Sequence, residues 1–160
     1  MTRDLEKTLV EKMQDEEFLA LDEIVDMGDT AVDPLRKLLA ENQDALIRQR
    51  AAVALGRIAA PQGAEALRQS LSDPVAPVVI SALNALGSMK AEGAEADVQG
   101  LLGSADASIR RVAAKTLGNL GDPGAVSALQ RVVEREDESS DVVSAAALAL
   151  RQLSDRAESP

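Results

Sequence analysis

Histidine, cysteine, tyrosine and tryptophan are all missing from this 160-residue chain, and Phe18 is its one aromatic residue. Each absence excludes a class of chemistry. Without histidine there is no Ser–His–Asp relay, no Glu-x-x-His iron site and no imidazole ligand for zinc. Without cysteine there is no disulfide framework, no thiolate nucleophile and no sulfur-bound metal. Neither a G-x-x-x-x-G-K-[ST] phosphate loop nor a G-x-G-x-x-G turn occurs. Adjacent acids such as Glu16 and Glu17 would point about 100° apart on a helix, so solvation explains them better than acid–base work. The expectation is a protein that is not an enzyme and takes no metal and no cofactor. No apolar run approaches ~18 residues, so no membrane span or membrane partner is expected. Asp4 and Glu6 stand where a secretory signal would need apolar residues. With neither an apolar signal nor a membrane span expected, the default expectation is a cytoplasmic protein, with which the lack of cysteine is compatible.

What the chain does have is small aliphatic bulk. Hydrophobic residues make up 46% of it, much of that alanine, which rules out a disordered chain and suits closely spaced helices. The net charge is −10, unevenly spread: residues 1–33 hold eleven acids and three bases, and the other 127 residues sixteen and fourteen. Nucleic-acid binders carry a basic excess. This acidic chain is expected to bind none.

A phrase recurs. ALGRIAAPQGAEAL, ALGSMKAEGAEADV and TLGNLGDPGAVSAL begin at residues 54, 85 and 116, each 31 after the last. Leu55, Leu86 and Leu117 share that spacing, as do Gly56, Gly87 and Gly118, and Ile47, Val78 and Ile109 open the units. A fixed period of this size marks a stacked array. Within a unit, Ile47, Ala51, Ala54, Leu55 and Ile58 lie on one helical face. A break with Pro or Gly follows, and then a second apolar face, Ala64, Leu67 and Leu71. The equivalents of that second face are Ala94, Val98, Leu101, Leu102 and Ala125, Leu129, Val132, Val133. Asp44, Asp73, Asp106 and Asp141 precede first helices, where aspartate caps free N–H groups. Each repeated glycine sits late in a first helix, at a cost of about 1 kcal/mol against alanine. Close approach of a neighbouring helix would offset that.

The pattern apolar-Arg-x-x-Ala-Ala-x-x-Leu-Gly-x-apolar, turn, Ala-apolar-x-x-Leu resembles the HEAT-like repeat of the phycobilisome-lyase type. Residues 109–133 match it best and 47–71 well, while 78–102 keep the spacing but have Val79 in place of the arginine. The resemblance spans roughly residues 16–153. It implies an all-α fold, a right-handed α-solenoid of about four to five stacked two-helix repeats of 31 residues. The expected organisation is one domain over 1–160. A capping helix at 1–14 would precede helix pairs at 15–44, 45–73, 74–106 and 107–138. A terminal helix at 139–155 and a tail at 156–160 would follow, and the charge run EREDESSD at 134–141 reads as a solvated loop. A related repeat family hydroxylates deoxyhypusine with iron held by His–Glu pairs, which a chain without histidine cannot assemble.

In such arrays the second helices line the concave side. The residues after their buried leucine or valine read Arg36, Arg68, Gln99 and Gln130, then Lys37, Gln69, Gly100 and Arg131, with no acid among them. Arg36, Lys37, Arg68, Gln69, Gln99, Gln130 and Arg131 are therefore the candidate partner-binding residues, suited to an acidic surface or peptide of another protein. The competing reading is that the arginine stems merely cover apolar neighbours. On the convex side, Arg48 and Arg110 are expected at a surface position. Val79 and Ile80 could then form an apolar patch near Val75, unless the segment Pro74–Pro77 covers it. The expected function is a non-catalytic protein–protein interaction scaffold. The alternative is a phycobilin lyase-like subunit that attaches or isomerises a tetrapyrrole, against which stand the chain's shortness and its lack of aromatic residues to stack on such a ligand.

Overall fold

In a computed structural model of the chain, residues 2–14 and 20–158 are described. Asp15, Glu16, Glu17 and Phe18 lie outside them. Among the described residues all regular structure is helical: α1 (Thr2–Met13), α2 (Leu21–Asp26), α3 (Asp29–Glu41), α4 (Ala45–Ile58), α5 (Ala64–Gln69), α6 (Ala76–Met89), α7 (Glu95–Gly100), α8 (Ala107–Leu120), α9 (Val126–Val133) and α10 (Ser140–Ala157). Single 3-10 turns at Pro61–Gly63, Ser70–Ser72, Leu101–Gly103 and Pro123–Ala125 flank the shorter helices. None of these helices is long and apolar enough to cross a membrane.

By internal contacts the chain divides into two compact units, Met1–Ala85 and Leu86–Pro160. In the first, α1 packs on α3, and α3 packs on α4 and α5. Its core holds Leu9, Met13, Ile24, Leu35, Leu55 and Leu67, all fully buried. In the second, α10 packs on α8 and α9, and α7 on α8, around buried Leu86, Val98, Leu117, Leu129 and Val142. The apolar faces read from the sequence are the buried faces, with small shifts. Leu102 is buried while Leu101 is only half-buried, because the 3-10 turn there advances side chains faster than an α-helix does. Val133, at the last position of α9, is 36% exposed. The final helix outruns its expected end and continues to Ala157, where Arg156 donates to the Asn119 carbonyl at the C-terminus of α8.

Two of the four aspartates, Asp44 and Asp106, cap their helices as expected, while Asp73 bonds an amide in the turn before α6, which begins only at Ala76. Asp44 accepts from the Leu46 amide at 2.9 Å, Asp73 from Val75 at 2.9 Å and Asp106 from Ser108 at 2.7 Å. Asp141 does not cap: Ser139 holds the cap position of α10, and Asp141, two residues on, falls in its first turn. First helices end alike. Gly28, Ala59, Lys90 and Gly121, each 31 residues apart, all have positive φ, at 55°, 56°, 50° and 84°. Glycine adopts such a backbone freely, while a Cβ there is strained.

The three repeated glycines do mark close approaches, but of unequal tightness. A Cβ on Gly56 would stand 2.6 Å from the Ala85 Cβ and 2.9 Å from its Cα. On Gly118 it would meet Gln152 and lie 3.0 Å from the Cα of Ala149. On Gly87 it would meet only side chains, Thr116 at 3.3 Å and Asn119 at 3.4 Å. Backbone cannot step aside as a side chain can, so crowding is greatest at Gly56 and Gly118 and mildest at the middle position.

A second repeated device joins loops. Arg48 on α4 donates through Nε and one terminal nitrogen to both oxygens of Asp73, at 2.7 and 3.0 Å. Its other terminal nitrogen donates to the carbonyls of Asn42 and Gln43, at 2.9 and 3.2 Å. Arg110 on α8 repeats this with Glu138, at 2.9 and 2.6 Å, and with the carbonyls of Ser104 and Ala105, at 2.9 and 3.0 Å. Each arginine thus ties the loop before its own helix to a loop more than twenty residues on. The side chains of the Asp73 and Glu138 carboxylates are only 9% and 3% exposed. Arg48 and Arg110 are therefore clamps and not surface residues. The run 134–141 is not wholly solvated, since Glu138 is gripped by Arg110 and also approached by Arg135 at 3.4 Å.

The hydrogen bonds from Arg110 hold the Glu138 carboxyl down to about 2, from an ordinary 4.5, against the opposing pull of burial. Arg48 lowers Asp73 in the same way. A carboxyl whose pKa is lower in the folded state contributes stability above its unfolded pKa and loses it as pH falls through the folded one. The thermal midpoint should therefore fall between about pH 4.5 and pH 2, and Glu138→Gln should flatten that fall while lowering the midpoint at neutral pH. For the backbone, Gly56→Ala should destabilise by ~1–3 kcal/mol through overpacking, although helix propensity alone predicts a gain. Ala59→Gly should stabilise by about 0.5–1 kcal/mol by relieving the left-handed backbone. Urea unfolding of both variants checks these opposite signs.

Candidate interaction surfaces

The candidate residues of the first unit lie on α3 and α5, two second helices that pack together. Their positive charge is largely met by acids close at hand. Arg36 donates to Asp33 one turn back at 2.9 Å, and its Nε is buried without a partner. Lys37 is held by both oxygens of Glu6 on α1, at 3.0 Å each. Arg68 lies 3.2 Å from Glu65, which also accepts from Gln69 at 3.1 Å. Lys37 and Gln69 are exposed, while Arg36 and Arg68 are half-buried. The strip is acid-free at its own positions, but acids one turn back or on α1 offset three of its cations. Sequence spacing counted only the ladder itself and so overstated its charge.

In the second unit, Gln99 on α7 is half-buried, and Gln130 and Arg131 on α9 are exposed. Among the described residues no carboxylate lies within ion-pair distance of Arg131. It is the open cation of the set.

The apolar patch does not form. Val79 is only 2% exposed and Val75 and Ile80 are half-buried. The position that holds a clamp arginine on α4 and α8 is a core position on α6. Valine fills it with apolar bulk, so Val79 is lost as a surface group.

One feature of the second unit has no counterpart among the sequence candidates. A groove of about 560 Å³ runs between α8 and α10, edged by Arg111 and Lys115 and floored by Ala145, Ala149 and Leu148. A signal for it was present. At the same two register positions α4 has Gln49 and Val53, and α6 has Ile80 and Asn84. Only α8 places two cations there.

A family model described as HEAT repeats matches residues 4–87 and 94–160. No curated protein matches the chain by sequence. Among solved structures, a phycocyanin lyase complex of CpcE and CpcF from Nostoc is similar at 22% identity and a TM-score of 0.73, over 94% of this chain and 65% of that one. Human deoxyhypusine hydroxylase is similar at 21% identity and a TM-score of 0.68, over 95% and 63%. A designed armadillo repeat protein in complex with a (KR)4 peptide is similar at 20% identity and a TM-score of 0.64, over 91% and 80%. The chain thus spans somewhat under two thirds of the lyase and hydroxylase chains. These likenesses agree with the all-helical elements on one fold class, the α-solenoid.

Proposed function

The chain belongs to the HEAT-repeat family, and on that premise we propose that it is a non-catalytic interaction module that binds another protein through its second-helix face. The partner surface is acidic, an exposed carboxylate patch or an extended peptide. The observation that carries this reading is the acid-free ladder along the second helices of a chain with a net charge of −10. Arg131 supplies its open charge. Arg36 and Arg68 can exchange their local carboxylates for a partner's at little cost, because exposed ion pairs are worth little, while Lys37, tied to a Glu6 side chain only 17% exposed, is held more firmly. Gln69, Gln99 and Gln130 offer amides that both donate and accept. The lyase-like alternative draws less support: a chain with one aromatic residue and no histidine or cysteine offers little to stack on or hold a tetrapyrrole.

The test is the double variant Arg68→Glu, Arg131→Glu. Both side chains reach solvent, so the helical circular dichroism signal should be unchanged. Affinity capture with quantitative mass spectrometry should show partners of the wild type reduced on the order of tenfold, and wild-type capture should weaken as salt rises. If the folded variant captures the same proteins equally well, the second-helix face is not the binding surface.

A further inference from the structure

The groove between α8 and α10 lies on the first helices of the second unit, away from the ladder on α9. Its charge is unusual for this protein. Arg36, Lys37, Arg48, Arg57, Arg68 and Arg110 each have a carboxylate within 3.2 Å, whereas among the described residues Lys90, Arg131 and Arg151 join Arg111 and Lys115 in having none within ion-pair distance. Of these five, Arg111 and Lys115 line the groove together. Arg111 and Lys115 are exposed, and among the described residues neither has a carboxylate within ion-pair distance. They stand four residues apart on α8, about 6 Å along its axis, so both charges face the same groove. Opposite them is Leu148, 55% exposed and the most exposed large apolar side chain among the described residues. Ala145 and Ala149 line the groove beside it. Their small size leaves the trough open where bulkier residues would fill it. Asp141, in the first turn of α10, borders the same groove.

We propose that this groove docks an acidic amphipathic helix of a partner protein. Two carboxylates one turn apart on that helix meet Arg111 and Lys115, and an apolar side chain between them covers Leu148 and Ala145. The charge complementarity selects the occupant: two cations without partners in an acidic protein suit carboxylates, and their spacing is that of i and i+4 on a helix. A trough between neighbouring helices receives a helical ridge. Asp141 repels carboxylates placed beyond this pair, which limits the acidic stretch to about two turns. The reading is independent of the second-helix ladder and uses none of its residues.

The test uses the full chain and a fluorescein-labelled synthetic helix with glutamate at i and i+4, leucine at i+3 and i+7, and alanine elsewhere. A control peptide carries lysine in place of glutamate. Fluorescence anisotropy should show binding of the glutamate peptide, weakening as salt rises, and much weaker binding of the lysine peptide. Arg111→Glu with Lys115→Glu should weaken binding on the order of tenfold or more. Leu148→Ala should weaken it while leaving the salt dependence intact. Arg68→Glu with Arg131→Glu should leave it unchanged. All substituted side chains are wholly or partly solvent-exposed, and circular dichroism confirms folding. The proposal is overturned if the glutamate peptide does not bind, if both peptides bind alike, or if the folded Arg111/Lys115 variant binds as the wild type does. Loss of binding in the Arg68/Arg131 variant alone would overturn it too, and would assign the acidic helix to the second-helix face.

Discussion

Loops that join stacked helix pairs carry carbonyls and carboxylates that must be satisfied, and here one arginine per clamp satisfies them. Its planar fork takes a carboxylate side-on with two nitrogens and leaves a third for two carbonyls, a set of bonds that the single ammonium of lysine could not make. The geometry is repeated at Arg48 and Arg110 down to the pair of preceding carbonyls. Burying a carboxylate alone would be costly. Buried against a bidentate guanidinium it becomes a fixed point, and the packing of α4 and α8 is built around that point. The crowding at Gly56 and Gly118 follows the same logic, since helices tied through their loops can be drawn close only where no Cβ intervenes.

Much of this architecture is legible in the sequence because periodicity is a direct imprint of burial. Helix positions, the order of the pairs and the close approach at Gly56 and Gly118 follow from residues that recur every 31 positions. What the period conceals is side-chain reach. Arg48 and Arg110 read as surface because arginine is charged, yet each is drawn inward by a partner 25 or 28 residues on. Glu138 reads as one more acid in a charged run, because nothing local distinguishes it from Glu136 or Asp137. Val79 reads as exposed by analogy with the arginines, and it is the analogy that fails: the position is interior, and arginine occupies it only where a carboxylate waits.

The candidate surfaces differ in the same way. Spacing alone finds the ladder Arg36, Arg68, Gln99 and Gln130, since each follows a buried apolar residue. It cannot find Asp33, Glu65 and Glu6 as their counterions, because Glu6 belongs to another helix and the other two belong to other helical positions. The groove beside Arg111 is the converse. Its cations are unremarked by the repeat, which has no cation at those positions elsewhere, and its depth depends on alanines that a periodicity argument counts only as core. Among the described residues many cations are held by the chain's own carboxylates, so in an acidic protein two left open on one groove, Arg111 and Lys115, are informative.

The forward reach of the clamp also determines where this chain can be cut. A shortened protein ending after α9, at Val133, would retain every helix through α9 and respect the apparent boundary between a helix pair and its successor. It would nonetheless leave Arg110 without Glu138, a half-buried guanidinium facing carbonyls on one side and no carboxylate on the other. The natural module of this array is thus longer than its repeat. It runs from the loop before a first helix to the acid of the loop beyond, and grafts or deletions that follow helix ends instead of that pairing would remove one half of an interaction while keeping the other.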